Sequence, residues 1–190
     1  MHLGFVIYGS LNTLTGGYIY DRILVEHLQN RGHRVDIISL PLRHYGRHLL
    51  DNWSPALRSD LAAGPYDILL QDELNHPSLF QVNRSLGKKS SLPKVAIVHQ
   101  VLCRQPRNVL LNRLYQVIEK RYLESVDAMI FNSDTTRRTA ATLVNGRRPF
   151  IVASPAGNRL GQLPSTDLIG SRAREDGPLR LIYVGNVLPQ

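Results

Sequence analysis

The order of structure-forming segments at the start of the chain strongly limits its fold. An apolar segment over residues 3–7 predicts a strand, and a second one over residues 35–40 predicts another. Between them lies a helical pattern that follows Gly16 and Gly17 and ends at Gly32. This order predicts a βαβ unit, whose two strands are parallel because the helix carries the chain back.

The paired glycines lie where the free amide groups of this helix point outward. An anion approaches a backbone without Cβ atoms closely, and a helix N-terminus favours negative charge. We therefore predict that Gly16 and Gly17 border a phosphate group, with a tight packing turn as the alternative. A dinucleotide site is disfavoured, because no Gly-x-Gly-x-x-Gly motif occurs and the second strand ends Ser39-Leu40-Pro41, without an acid for a ribose.

Strand and helix patterns alternate along the chain, which predicts an α/β fold: a Rossmann-like, doubly wound parallel sheet with helices on both faces. Further strands are predicted at residues 66–71, 94–98, 127–131 and 150–153. Further helices are predicted from Ser54 to Gly64, from His76 to near Gly87, over residues 108–124, and from Ser133 to Gly146. Residues 41–53 are predicted to be irregular.

The composition changes towards the end of the chain. Residues 1–155 are predicted to form the domain, and residues 156–178 a linker, because Gly, Pro, Ser and charged residues replace the apolar periodicity there. Residues 179–190 begin with a strand pattern that ends at Gly185. We expect this to be the first strand of a truncated second domain.

Positive charge is concentrated in one part of the chain, whose formal net charge is +8. Residues 101–150 hold nine Lys and Arg against four Asp and Glu, so nine minus four gives +5. Such a patch favours an anionic partner, namely nucleic acid, acidic lipid or a phosphorylated substrate, with a solvated helix face as the alternative. A single-strand nucleic-acid binder is disfavoured, because the chain lacks an aromatic ladder on which bases stack.

The expected location is the cytoplasm. Cys103 is the one cysteine, which excludes an internal disulfide and suits a reducing compartment, and we expect neither a signal peptide nor a bilayer-spanning segment. Peripheral attachment to an anionic membrane stays open, because helix 108–124 carries basic residues beside its apolar stripe. Core packing of this stripe is favoured; it consists of Leu111, Leu114, Tyr115, Ile118 and Tyr122.

Three polar residues end predicted strands. His99 follows four apolar residues of a central strand, where a site role is favoured over a backbone hydrogen bond. Asp72 and Glu73 end the third strand, where such residues can meet acceptor hydroxyls or act as an acid or base, although more often they cap the next helix.

Two other combinations of reactive residues are disfavoured. Nothing orients Cys103 towards His99 as a nucleophile and base. A metal site at His44 and His48 is disfavoured because Gly46 weakens a helix there and no Glu follows the first His. The expectation is therefore no metal.

Several segments, taken in order, resemble the N-terminal domain of the glycosyltransferase family 4 enzymes, which have the GT-B fold. These segments are Gly16-Gly17, Gly32-His33-Arg34-Val35, Tyr66-Asp67-Ile68-Leu69-Leu70, Val98-His99, residues 127–137 (a strand, Ser133 and a helix start with Thr and Arg), and Leu181-Ile182-Tyr183-Val184-Gly185. The resemblance covers essentially the whole chain. It implies transfer of a sugar from a nucleotide-diphospho-sugar co-substrate to a sugar, lipid or small-molecule acceptor, with retention and without a metal or other cofactor.

The resemblance also implies roles for individual residues. His99 would be catalytic beside the transferred sugar, and Gly16 and Gly17 would border the donor diphosphate. Ser133 and Gly185 would belong to the substrate-binding set with Asp72 and Glu73. The N-terminal domain would bind the acceptor, and a C-terminal domain, supplied in cis or in trans, would bind the nucleotide.

The chain departs from the family pattern after the sixth strand. The family's Pro-Asn-Gly-Val-Asp is here Pro155-Ala156-Gly157-Asn158-Arg159, so only Pro and Gly agree. The family's basic pair and paired glutamates, which hold the diphosphate and ribose, have no counterpart up to Gln190. A non-catalytic module that binds nucleotides or anions is therefore the alternative function.

Overall fold

The structure of the chain is a computed structural model that describes residues 1–89, 92–106, 108–146, 148–155, 164–175, 177–178 and 181. It divides into two compact units, Met1–Pro155 and Ala156–Gln190. The predicted strand at 179–184 and Gly185 lie outside the described residues, apart from Leu181.

The first unit is built on a six-stranded sheet in which every paired neighbour is parallel. The strands are β1 (His2–Tyr8), β2 (Arg34–Leu40), β3 (Ile68–Asp72), β4 (Lys94–Val98), β5 (Ala128–Phe131) and β6 (Phe150–Val152). Their spatial order is β2-β1-β3-β4-β5-β6, and Val6 of β1 lies opposite Ile38 on one side and Gln71 on the other. The predicted Rossmann-like α/β fold is confirmed.

Seven α-helices lie in the described residues: α1 (Gly16–Asn30), α2 (Tyr45–Asp51), α3 (Pro55–Ala63), α4 (His76–Lys89), α5 (Val109–Leu123), α6 (Asp134–Ala141) and α7 (Thr166–Arg172). Side chains of Thr15, Ser54, Asn108 and Ser133 accept a hydrogen bond from a first-turn amide of α1, α3, α5 and α6. These caps satisfy one of the amides that a helix N-terminus leaves without a partner. Gly32 follows α1 with φ of +79°, the left-handed conformation that ends a helix.

Two helix predictions were wrong, and one further helix lies in the predicted linker. The segment predicted to be irregular contains α2, because a seven-residue helix is stabilised by packing rather than by its own pattern. His48 of α2 is buried and stacks on Tyr8 with ring centroids 4.0 Å apart. The predicted linker contains α7, which Ser165 caps, and α6 ends at Ala141 rather than near Gly146.

Apolar side chains cover both faces of the sheet. On one face, Val6, Leu69 and Val98 pack in a cluster that includes Leu79 of α4 and Tyr122 of α5. The other face has a separate cluster, in which Phe5, Ile7 and Ile97 pack with Tyr18 and Val25 of α1. Burial on both faces explains why these strands are almost continuously apolar.

The apolar stripe of α5 is buried only in its C-terminal part. Ile118 and Tyr122 are buried and Tyr115 is half-buried, whereas Leu111 and Leu114 are 40% and 46% exposed. The prediction that the whole stripe packs in the core was therefore wrong for its first half. Among the helices described, none has the length and apolar character needed to cross a membrane.

The strand order determines where a ligand site is expected. The chain passes from β1 to β2 on one side and then from β3 outward on the other, so the direction reverses between β1 and β3. Open parallel sheets bind ligands in the crevice beyond the carboxyl ends of the strands at such a point. The loop before α1, the end of β3 at Asp72 and the end of β4 at His99 meet at this edge.

Candidate functional site

A histidine–aspartate pair lies at the carboxyl edge of the central strands. His99 follows β4, and its Nε2 is 2.9 Å from Oδ1 of Asp21 in α1. The Asp21 side chain is fully buried, and the His99 side chain is 11% exposed. The sequence reasoning did not select Asp21. The available signal was an acid on the buried face of α1, between Tyr18 and Val25.

The diglycine segment touches the imidazole directly. A Cβ atom added at Gly17 would lie 3.2 Å from Cδ2 of His99, whereas one added at Gly16 would meet no atom within 4 Å. Tyr20 packs edge-on against the same imidazole, with centroids 5.1 Å apart. The space left by the missing side chain of Gly17 is therefore occupied by His99.

The N-terminus of α1 retains the features of an anion site. Oγ1 of Thr15 accepts the amide of Tyr18 at 3.2 Å. The amides of Gly16 and Gly17 precede that of Ile19, which donates the first intrahelical hydrogen bond to the carbonyl oxygen of Thr15. These amides and the helix dipole favour negative charge beside Gly16, where the surface is open.

The charges around the pair favour a shared proton. Burial alone would lower the pKa of His99, but the hydrogen bond and charge of Asp21, followed by the charges of Asp72 and Glu73, raise it overall. Burial raises the pKa of Asp21, while its hydrogen bond to His99 acts in the opposite direction. Nδ1 of His99 has no hydrogen-bond partner among the described residues, which leaves it for a ligand.

Asp72 and Glu73 are both buried, at 1% and 2% exposure. Oδ1 of Asp72 accepts the amide of Leu74 at 3.0 Å, so this carboxylate caps the short 3-10 turn after β3. Burial, followed by the charge of Asp21, raises the pKa of Asp72 to about 7. Glu73 is not hydrogen-bonded to His99 or Asp21 in the described part of the chain; its oxygen Oε1 lies 3.1 Å from Nδ1 of His76.

The end of β5 supports the backbone at His99. Nδ2 of Asn132 donates to the carbonyl oxygen of His99 at 2.9 Å, a contact that sequence reasoning did not anticipate. Oγ of Ser133 accepts the amide of Thr136 at 3.1 Å, which confirms that Ser133 caps the next helix. Its role in substrate binding stays a prediction, as does that of Gly185, which lies outside the described residues.

Apart from His99 itself, the residues of the disfavoured Cys–His and His–His sites lie outside the His99–Asp21 pair. Burial raises the pKa of the Cys103 thiol to about 12, which makes it a poor nucleophile. His44 is exposed, whereas His48 is buried, with Nδ1 3.7 Å from Asp51.

Neither a protein-family model nor a curated protein matches this chain. The chemistry of the site therefore rests on its own geometry: an imidazole with one nitrogen unpaired among the described residues, oriented by a buried carboxylate, beside a helix N-terminus.

Proposed function

We propose that this chain is the acceptor-side domain of a retaining GT-B glycosyltransferase that uses a nucleotide-diphospho-sugar as co-substrate and needs no cofactor. The observation that carries the proposal is the His99–Asp21 pair packed against Gly17 at the carboxyl edge of the sheet. A donor-binding domain, in cis or in trans, would supply the nucleotide site.

In this proposal, His99 contacts the sugar and Asp21 orients the imidazole. Nδ1 donates a hydrogen bond to a sugar hydroxyl, while Asp21 accepts from Nε2 and stabilises positive charge on the ring. The charged imidazole and the N-terminus of α1 both stabilise negative charge that develops on the departing diphosphate. Tyr20 restricts the ring from one side.

The exposed part of α5 favours a lipid-linked acceptor at an anionic membrane surface. Val109, Leu110 and Leu114 are 67%, 73% and 46% exposed, and the exposed Arg113 lies within the same turns. Apolar side chains beside basic ones are typical of helices that lie in a membrane interface. We accordingly propose a cytoplasmic location, peripherally at the membrane.

Calorimetric titration of the chain tests the proposal. An acceptor-side domain should bind acceptor sugars or their lipid-linked forms more tightly than it binds nucleotide sugars, and His99→Ala should weaken that binding. His44→Ala, which removes an exposed histidine, is the control and should bind like the wild type. Preference for the nucleotide would instead favour a non-catalytic nucleotide-binding module.

A transfer assay tests the catalytic role separately. With the donor-binding domain present, His99→Ala should lower kcat by at least tenfold, because a positioned charge in a dry site contributes strongly to the transition state. An unchanged kcat would remove His99 from the mechanism. Binding to DNA that weakens steeply with salt would favour a nucleic-acid binder over a glycosyltransferase.

A further inference from the structure

A second buried polar group lies beyond the carboxyl end of β3 and does not depend on the function proposed above. It contains Glu73, His76 of α4 and Glu119 of α5, which are 2%, 0% and 1% exposed. One ligand atom from each residue lies within 4.8 Å of the other two. Two carboxylates and an imidazole therefore converge in the interior, where isolated charges are strongly unfavourable.

Groups outside the ligand set hold the imidazole of His76 and the carboxylate of Glu119. Nε2 of His76 is 2.9 Å from the hydroxyl of Tyr45, while Nδ1 faces Oε1 of Glu73 at 3.1 Å. Both oxygens of Glu119 accept backbone amides, from Leu102 and Cys103. Such outer contacts orient ligand side chains in metal sites.

Two polar atoms within this group lack partners. Oε2 of Glu73 and the hydroxyl of Tyr122 are both buried without a hydrogen bond among the described residues. The Tyr122 side chain is fully buried, and its ring lies near that of His76, with centroids 6.4 Å apart. A buried hydroxyl on a ring near His76 and a buried carboxylate oxygen of Glu73, both unpaired among the described residues, indicate a missing ligand.

We propose that Glu73, His76 and Glu119 bind one divalent transition-metal cation of the zinc type, with the Tyr122 hydroxyl or a water as the fourth ligand. A divalent cation cancels the two carboxylate charges beside a neutral imidazole. Nitrogen and carboxylate ligands suit Zn²⁺ or Mn²⁺ better than Mg²⁺ or Ca²⁺, which prefer oxygen alone. This inference departs from the expectation of no metal. The sequence did not reveal the group, because Glu119 is far from Glu73 in the chain and only the fold brings them together.

The cation would stabilise the fold rather than act on a substrate. It would join the segment after β3 to α4 and α5. Through the amides bound by Glu119, it would also hold residues 102–103, which follow His99.

A proton is the competing occupant of this group. Nδ1 of His76 also lies 3.0 Å from the carbonyl oxygen of Glu73, which a protonated ring would satisfy. Because the cation must displace protons from its ligands, its affinity should rise with pH.

The test is metal binding by the chelator-treated wild-type chain at pH 8, with Zn²⁺, Co²⁺ and Mg²⁺ as probes. We expect the chain to bind one equivalent of Zn²⁺, with an affinity at least tenfold higher than for Mg²⁺. Bound Co²⁺ should show the visible absorption bands of a four- or five-coordinate site, and Zn²⁺ should raise the Tm. Zinc binding should also change the ¹⁵N chemical shifts of the His76 ring nitrogens in NMR spectra. Absence of stoichiometric binding would overturn the proposal even if every variant failed to fold.

Variants separate this site from surface histidines. Glu73→Gln and Glu119→Gln should each lower Zn²⁺ affinity at least tenfold. Asp72→Asn, a neighbouring buried carboxylate outside the group, should retain it. Equal affinity in wild type, Glu73→Gln and Glu119→Gln would show that the metal binds elsewhere and would refute the site.

Discussion

Replacing Gly17 by alanine should disturb the His99–Asp21 pair, and replacing Gly16 should not. Both glycines lie in the first turn of α1 with ordinary φ values, so neither needs glycine for its backbone conformation. Alanine favours a helix over glycine by at most about 1 kcal/mol. The new Cβ at position 17 lies 3.2 Å from the imidazole, closer than ordinary contact, whereas position 16 is open.

Overpacking a buried contact costs about 1–3 kcal/mol, which exceeds the gain in helix propensity. We therefore expect Gly16→Ala to be neutral or stabilising and Gly17→Ala to be less stable than Gly16→Ala by about 1–3 kcal/mol. The free energy of unfolding from urea titrations measures this difference. NMR titration should also show a lower pKa for His99 in Gly17→Ala, because the imidazole moves away from Asp21.

A double-mutant cycle isolates the contact. In a His99→Ala background the imidazole is absent, so the penalty of Gly17→Ala should largely disappear. A penalty that persists there, or equal stabilities of Gly17→Ala and Gly16→Ala, would refute the proposed contact.

Three further outcomes are expected. Asp21→Asn should lower the pKa of His99, because the hydrogen bond and charge of Asp21 raise it; an unchanged value by NMR would mean that the two groups are not paired. With chelator present, wild-type stability should fall as the pH rises through about 7, because raised pKa values such as that of Asp72 mean that the folded state binds more protons. Asp72→Asn should flatten this dependence, which urea midpoints at pH 5 and pH 8 would show; greater wild-type stability at pH 8 would contradict it. Gly4→Ala should destabilise by about 1–3 kcal/mol, since its Cβ would lie 2.9 Å from a buried leucine, whereas Gly46→Ala, in open space, should not.

Local sequence patterns were sufficient for the sheet and for most helix starts. The segment Lys94–Val98, which is apolar after its first residue, forms β4 at its predicted bounds, because a short and almost wholly apolar stretch matches a strand buried on both faces. Ser54, Asn108 and Ser133 each cap a helix, because their short polar side chains accept a hydrogen bond from an amide two or three residues later. This contact is local and does not depend on the rest of the fold.

Contacts between distant segments decided the helices that the pattern did not predict. The helix Tyr45–Asp51 is short, and its residue His48 is buried against Tyr8 of the first strand. The stripe of α5 divides at Tyr115, since neighbouring elements bury only the part that begins there. Helical periodicity shows which residues share a face, but it does not show how much of that face another element covers.

The linear order of residues determined the parallel sheet and the position of His99 at its carboxyl edge, because strand periodicity and βαβ connections are local properties of the chain. Only the tertiary structure brought Asp21 to the imidazole, gave Gly17 its role as the space for that ring, and placed Glu119 beside Glu73 and His76. These pairs are separated by many residues, so their contact depends on how α1 and α5 pack on opposite faces of the sheet.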